Sequence, residues 1–181
     1  MRTKQTIAVI GATGKMGSAI SGNLAGGNYR LLLHANGKEQ LNALVKDIFT
    51  KYPSADVEAY DCSVQASWEA DIIILAVPYE AEKEVAQRIR EMANQKIVIS
   101  IANPLNSKYD GLVTSPGTSA AGELQQLLPN SKVVKAFNTT FAADFATPVI
   151  AGEQADPFIA GDHDEAVQTV CWLENIVQLN Q

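Results

Sequence analysis

Short apolar runs alternate along this chain with segments in which apolar residues recur every three or four positions. The first pattern predicts β-strands and the second predicts amphipathic α-helices. The predicted strands cover 6–10, 30–33, 57–61, 71–77, 96–100 and 132–136, with PFIAG at 157–161 leading into the last helix. The predicted helices cover 16–25, 38–49, 79–92, 119–128 and 162–174, and a short helical turn is expected around Trp68. This alternation predicts an α/β fold with a doubly wound, mostly parallel sheet.

The most apolar segment, DIIILAV at 71–77, indicates where the centre of that sheet lies. Its apolar residues are continuous rather than alternating with polar ones. A parallel strand that helices cover on both faces has this composition, because neither of its faces meets water. We therefore expect 71–77 to be a central strand.

Length and composition restrict the class of protein. The chain has 181 residues, 46% of them hydrophobic and 19% charged, as expected for a single domain spanning 1–181. A net charge of −6 argues against nucleic acid or membrane as a general partner, because both repel an acidic surface. No segment resembles a signal peptide or a membrane span, so we expect a cytoplasmic protein. Cys62 and Cys171 lie far apart and in no ligand spacing, which predicts reduced thiols and no metal site.

A glycine-rich turn, GATGKMG at 11–17, joins the first predicted strand to the first predicted helix. In dinucleotide-binding folds the first glycine permits a tight bend, the second lets the backbone approach the pyrophosphate, and the third lets helix and strand pack closely. Gly11, Gly14 and Gly17 suit these roles, and the helix would direct its free N–H groups at the anion. Lys15 is either a further contact of the phosphates or a solvated side chain. The context predicts a Rossmann-type NAD(P)-binding fold.

The segment YRLLLHANGK at 29–38 contains the loop that would contact the adenosine ribose. Asn36 lies nineteen residues after Gly17, where an NAD site normally carries Asp or Glu. This loop has no carboxylate and offers Asn36 and Lys38, whereas His34 is more typical of a buried strand end. The sequence therefore favours NADP over NAD, with Asn36 and Lys38 as candidate contacts of the 2′-phosphate.

Together, GATGKMG, ADIIILAVPYEA, KIVISIANPL and VVKAFNTTFA resemble the coenzyme F420-dependent NADP oxidoreductases. The relatives of that family include the cytosolic domain of the six-transmembrane metalloreductases. The resemblance extends over about 6–176. It implies hydride transfer between NADP(H) and a small-molecule redox acceptor, either coenzyme F420 or a flavin, in a protein that forms a homodimer.

On the matching positions the resemblance implies three parts of an NADP site. The pyrophosphate loop would be Gly11, Ala12, Thr13, Gly14, Lys15 and Met16, the 2′-phosphate loop Ala35, Asn36 and Lys38, and the nicotinamide boundary Ala76, Val77, Pro78, Asn138 and Ala142. The sequence departs from the family pattern at two places. Ala35 and Asn36 stand where firm binders of the 2′-phosphate carry Ser-Arg, and Asn138 stands where deazaflavin enzymes often have histidine.

Two other functions stay open. Hydride transfer to a flavin-like ring needs stacking and orientation but no dedicated acid or base, so no catalytic residue is predicted. A dinucleotide-binding sensor, or a subunit completed by a partner, is the second hypothesis, because full-length deazaflavin enzymes continue past the last residue of this sequence. A carbonyl or imine reductase would need a proton donor. Tyr79 and Lys83 match the Y-x-x-x-K pair of short-chain dehydrogenases, although they open the helix directly after the fourth strand.

Overall fold

A mostly parallel sheet of seven strands forms the centre of the computed structural model, which describes residues 4–108, 110–138, 149–150, 153–154 and 158–179. The side chains of 149–150, 153–154 and 174–179 lie outside this description. The strands of the large sheet are Gln5–Ile10 (β1), Tyr29–His34 (β2), Asp56–Tyr60 (β3), Ile72–Leu75 (β4), Ile97–Ser100 (β5), Lys132–Lys135 (β6) and, after two short strands, Ala160–Gly161 (β9). Val149–Ile150 (β7) and Glu153–Gln154 (β8) form a separate antiparallel pair.

In the described part of the chain five helices connect strands, and a sixth follows β9. They are Lys15–Leu24 (α1), Lys38–Lys51 (α2), Ser63–Glu69 (α3), Tyr79–Ile89 (α4), Ala120–Leu127 (α5) and Asp164–Leu179 (α6) among the described residues. Local chemistry explains several ends. The Ser119 hydroxyl accepts a hydrogen bond from the Gly122 N–H at 3.1 Å and so caps α5. Pro78 precedes α4, where a missing N–H is harmless, and Tyr52 before Pro53 ends α2.

The strand order is β3-β2-β1-β4-β5-β6-β9, and every pairing is parallel except that of β9 with β6. The chain therefore moves outward from β1 in both directions, which places the topological switch point between β1 and β4. In open α/β sheets ligands bind at the carboxyl ends of the strands near such a point. The doubly wound, mostly parallel Rossmann-type sheet predicted from the sequence is confirmed.

Helices cover both faces of the sheet. Alternate residues of β1 take part in two separate apolar clusters, with Ile7 and Val9 against α1, α2 and α6, and Ala8 and Ile10 against α3, α4 and α5. The residues of β4 alternate in the same way and all four are buried. Because both faces of β4 are covered, its sequence is uniformly apolar. The prediction that 71–77 contains a central strand is confirmed, although β4 ends at Leu75 and the next residues form a connection.

Candidate functional site

Gly11 closes the turn between β1 and α1. Its φ of +90° lies in the left-handed region, and a Cβ atom there would be 2.3 Å from the carbonyl oxygen of Ala76. Only glycine fits such a position without strain. The glycine loop consequently lies directly on the backbone that follows β4. The predicted pyrophosphate loop is therefore in contact with the predicted nicotinamide boundary at Ala76.

Gly17 brings α1 close to the same loop. A Cβ atom at Gly17 would be 2.2 Å from the carbonyl oxygen of Gly11. The helix can therefore approach the end of β1 only because this residue has no side chain. Gly11 and Gly17 have the packing roles that the sequence predicted for them.

The first turn of α1 is available to an anion. Gly14 occupies the N-cap in an extended conformation and has no side chain to cap the helix, and the first turn contains no acidic residue. Three other N–H groups of the loop donate hydrogen bonds within the protein. Those of Gly11 and Ala12 donate to the carbonyl of His34, and that of Gly14 donates to the carbonyl of Gly11. The first N–H groups of a helix have no partner within the helix. The start of α1 therefore offers N–H groups to which an anion could bind.

The side chains of the loop differ in exposure. Ala12 is fully buried in the core, Thr13 and Met16 are half-buried, and Lys15 is exposed. Ala12 therefore packs beneath the loop, whereas the Lys15 side chain is open to solvent.

His34 holds the glycine loop and the ribose loop together. Its carbonyl accepts hydrogen bonds from Gly11 and Ala12 at 2.8 and 3.0 Å, and its ring Nδ1 lies 2.9 Å from the carbonyl oxygen of Tyr60. The side chain is 8% exposed. His34 therefore fills the end of β2, and a bound ribose would meet the residues after it.

The ribose loop carries a cation, and a carboxylate from another segment lies beside it. Asn36 is exposed, Ala35 is half-buried, and the Lys38 ammonium lies 3.1 Å from an oxygen of Asp61. Both side chains of this ion pair are more than 70% exposed, so water screens the attraction strongly. The sequence showed no carboxylate in this loop, and the fold brings Asp61 there from the end of β3. Gly37, the N-cap of α2, adds no capping side chain.

The nicotinamide boundary follows β4 and β6. Ala76 and Val77 are half-buried, the Ala76 N–H donates to the carbonyl of Ile10 at 2.8 Å, and Pro78 is exposed. Asn138 exchanges two hydrogen bonds with Asn103, at 3.2 and 3.3 Å, which link the ends of β6 and β5. Ala142, the remaining predicted contact, lies outside the described residues.

Phe137 has an unusual backbone next to Asn138. Its φ is +61° and its side chain is buried. A bulky residue in the left-handed region is uncommon and costs about 1–2 kcal/mol. The surrounding core holds this conformation, and the backbone bends there as the chain leaves the sheet.

A cavity of about 440 Å³ opens beside this boundary, beyond the carboxyl ends of β5 and β6. Its wall is mostly apolar and small polar residues, with Lys135 and Asp162 as the charged groups among the described lining residues. The lining consists of Asn103, Pro104, Leu112, Thr114, Thr118, Ser119, Ala120, Ala121, Gly122, Gln125, Val133, Lys135, Asn138, Ala160, Gly161 and Asp162.

At the base of this region the charges of half-buried Lys135 and buried Glu82 interact. The Lys135 ammonium donates to the carbonyl of Ala102, and the Ser100 hydroxyl donates to Glu82 Oε1 at 2.6 Å. Burial lowers the pKa of Lys135 to about 8, and the charge of Glu82 opposes that change. Burial raises the pKa of Glu82, while the Ser100 hydrogen bond and the Lys135 charge act in the other direction. Glu82 is 3% exposed.

Tyr79 is bound to a carboxylate. Its hydroxyl donates to Glu123 Oε2 at 2.5 Å, and this hydrogen bond, followed by burial, raises the pKa of Tyr79 to about 12. A Y-x-x-x-K pair works in the opposite way, because its lysine lowers the pKa of the tyrosine so that the hydroxyl can donate a proton. The geometry therefore gives no support to a Tyr79–Lys83 pair.

Sequence reasoning missed Asp61, Glu82 and Lys135. Glu82 had a readable signal, since it lies three residues before Val85 and seven before Ile89, on the face of the helix that was predicted to point inward. A carboxylate on an apolar face calls for a buried partner. Lys135 lies at the carboxyl end of a strand, where ligands of open α/β folds bind, and that position was the available signal.

Neither a metal cluster nor a membrane span occurs in the described part of the chain. No three His, Cys, Asp or Glu side chains there lie together as metal ligands would. Across the same residues, every helix is too short or too polar to cross a bilayer. Cys62 and Cys171 are half-buried free thiols.

Comparison with known proteins places these features in a family. A family model described as "NADP oxidoreductase coenzyme F420-dependent" matches residues 6–104. The F420-dependent NADP reductase of Methanocaldococcus jannaschii is 30% identical over 179 residues, which cover 93% of this chain and 78% of that protein.

Two solved structures share the fold. A hypothetical protein from Sinorhizobium meliloti has a TM-score of 0.79 and 25% identity over 98% of this chain and 83% of its own. An Arthrobacter protein provisionally assigned as an F420-dependent NADP reductase has a TM-score of 0.79 and 22% identity, over 95% of this chain and 81% of its own.

Proposed function

Since this chain belongs to the family of coenzyme F420-dependent NADP oxidoreductases, we propose that it transfers hydride between NADP(H) and a flavin-like acceptor, either coenzyme F420 or a flavin. The resemblance noted in the sequence, and with it an NAD(P)H-dependent oxidoreductase, is confirmed. The acceptor, the residues that bind it, the homodimer, the cytoplasmic location and the single domain over 1–181 stay predictions.

The glycine loop carries the proposal. Gly11 and Gly17 pack the loop against the end of β4 and against α1 at distances that no other residue tolerates. The uncapped first turn of α1, free of acidic residues, then faces the crevice at the switch point. Because no side chain caps this first turn and no acidic residue opposes a negative charge there, its N–H groups can bind an anion such as the pyrophosphate.

The ribose loop supports NADP rather than NAD. Its exposed residues are Asn36 and Lys38, and no carboxylate from the loop itself could accept the 2′-hydroxyl of NAD. Lys38 would contact the 2′-phosphate after exchanging its ion pair with Asp61, which is weak because both groups are solvated.

The nicotinamide end of the site would lie at Ala76, Val77, Pro78 and Asn138. NADP(H), when bound, supplies or receives the hydride, so the protein has to orient two rings and exclude water. The half-buried backbone after β4 gives one wall, and the Asn103–Asn138 pair fixes the opposite wall. A carbonyl or imine reductase is less well supported, because the carboxylate of Glu123 keeps the Tyr79 hydroxyl from acting as an acid near neutral pH.

A titration of the purified protein with NADPH and NADH, followed by nicotinamide fluorescence, tests the cofactor. We expect clear preference for NADPH. Equal affinities would contradict the assignment of NADP, and binding of neither would contradict the dinucleotide site. Turnover with coenzyme F420, FMN and FAD, followed by loss of NADPH absorbance, then tests the acceptor, and binding without turnover would favour a sensor or an incomplete subunit.

A charge reversal tests the location of the site. Lys15 is exposed in the first turn of α1, where a glutamate suits the helix dipole but repels a phosphate. Lys15→Glu should therefore leave the fold stable and weaken NADPH binding by about tenfold, equivalent to about 1.4 kcal/mol. Lys46→Glu makes the same charge change on the exposed face of α2 and serves as the control. Equal effects of the two variants would place the phosphates elsewhere.

A further inference from the structure

The cavity beyond β5 and β6 lies next to the proposed nicotinamide site. Leu75, Ser100 and Lys135 are paired across β4, β5 and β6, so they form one row at the carboxyl ends of three adjacent strands. Neighbouring strands are about 4.8 Å apart, which puts Lys135 roughly 10 Å from the end of β4. A ring stacked against the backbone after β4 would reach across this distance into the cavity.

Lys135 is held at the wall of that cavity in its charged form. Its ammonium has three donors, and the carbonyl of Ala102 accepts from one of them. Glu82, which is buried and accepts a hydrogen bond from Ser100, favours the positive charge. Burying two such groups is unfavourable unless their attraction and hydrogen bonds offset the loss of water. Lys135 is half-buried and lines the open cavity, whereas Glu82 is in the interior of the protein.

The polar residues near Lys135 suit a ring with carbonyl and imide groups. The side chains of Asn103, Thr118 and Asn138 line the same cavity and can both donate and accept hydrogen bonds. The opposite charge in the lining is Asp162, at the end of β9. The surroundings therefore match a flat, polar-edged acceptor better than a purely apolar one.

We propose that Lys135 contacts the acceptor and is a catalytic residue, because its ammonium stabilises the negative charge that the acceptor ring gains with the hydride. This inference rests on the proposed function. Hydride transfer breaks one C–H bond of the dihydronicotinamide and forms one bond to hydrogen on the acceptor. The acceptor thereby gains two electrons and one proton, hence one negative charge. A fixed cation at that charge acts like the donors of an oxyanion hole.

Three variants test the role of the charge. Lys135→Met removes the ammonium and keeps the length of the side chain, and we expect kcat with FMN or coenzyme F420 to fall roughly 100-fold. The affinity for NADPH should stay within about twofold, since Lys135 is proposed to contact the acceptor alone. Lys135→Arg keeps the charge and should restore most of kcat. Lys132→Met, at the other end of β6 and paired with Glu165, is the control and should match the wild type.

The pH profile separates charge from shape. The charged groups around Lys135 are Glu82 from α4, Asp162 after β9 and, through its action on Glu82, Glu123 from α5. Wild-type kcat/KM for the acceptor should decline above about pH 8, where Lys135 of the acceptor-free enzyme loses its proton, and this decline should be absent in Lys135→Arg. Lys135→Met with wild-type kcat, or Lys135→Arg as slow as Lys135→Met, would overturn the proposal.

A measurement without turnover keeps this inference distinct from the proposed function. Reductive methylation with a ¹³C label gives each lysine an NMR resonance whose pH titration reports the pKa of its amine. The resonance that is missing from the spectrum of Lys135→Arg is the one of Lys135. Chemically reduced, anionic FMN should raise the pKa of that resonance, whereas an unchanged pKa would overturn the role of Lys135. If the wild type binds NADPH but reduces no acceptor, the proposed function fails, and the NMR titration still decides the inference. If Lys135→Met does not fold, the NMR titration of the wild type still tests whether Lys135 contacts the acceptor.

Discussion

Adding one methyl group at Gly17 should destabilise the protein, although alanine favours helices. Gly17 and Gly22 both lie in α1, and replacing glycine with alanine inside a helix normally stabilises it by about 1 kcal/mol. At Gly17 the new Cβ would be 2.2 Å from the Gly11 carbonyl oxygen, and separations below 3.0 Å do not occur for real Cβ atoms. The obstacle is rigid backbone, so α1 or the loop has to move.

The expected magnitude follows from these two opposing effects. Overpacking of this kind costs about 1–3 kcal/mol, which exceeds the gain in helix propensity. We expect Gly17→Ala to lower the free energy of unfolding by about 1–2 kcal/mol. At Gly22 no atom lies within 4 Å of the position that a Cβ would occupy, so Gly22→Ala should raise the free energy of unfolding by about 0.5–1 kcal/mol.

Urea denaturation followed by circular dichroism measures both changes, and NADPH titration measures the effect on the site. Movement of α1 away from Gly11 displaces the N–H groups of its first turn, so Gly17→Ala should also weaken NADPH binding by about tenfold, whereas Gly22→Ala should not. If Gly17→Ala were as stable as Gly22→Ala and bound NADPH normally, the close approach of α1 to the loop would not be what Gly17 provides.

Three further predictions follow from charged groups. Asp61→Asn should strengthen NADPH binding by about twofold to threefold, because Lys38 no longer has to leave an ion pair. Fluorescence titration measures this affinity. Weaker binding by the variant would mean that Asp61 holds Lys38 in place. Tyr79→Phe should keep most of kcat, since Glu123 raises the pKa of the hydroxyl to about 12, and a large loss measured in steady-state turnover would favour a carbonyl reductase. The folded state lowers the pKa of Lys135 from 10.5 to about 8, so the unfolded chain binds more protons between those values and stability should rise with pH there. Urea unfolding across that range should show a smaller rise in Lys135→Met than in the wild type, and the rise left in the variant comes from groups such as Lys96, whose pKa burial also lowers.

The order of the elements could be predicted from the sequence because it depends on local pattern. All four residues of β4 are apolar because both of its faces are buried. The helices repeat apolar residues every three or four positions because only one of their faces is buried. The roles of Gly11 and Gly17 could be predicted for a related reason, since few backbone conformations connect a strand to a helix so tightly. The ends of strands were predicted less accurately. The segment predicted as a strand was 71–77, but β4 ends at Leu75, where its pairing with β5 ends.

The partners of the charged groups could be known only from the tertiary structure. Periodicity shows that a face is buried but not which residues from distant segments share it. Lys38 meets Asp61 because parallel strands β2 and β3 bring their carboxyl ends to one edge. The charges of Lys135 and Glu82 interact because α4 packs on the sheet that contains β6. The pKa of Lys135 likewise depends on how much water the fold removes and on how close the next charge lies, and a linear sequence contains neither quantity.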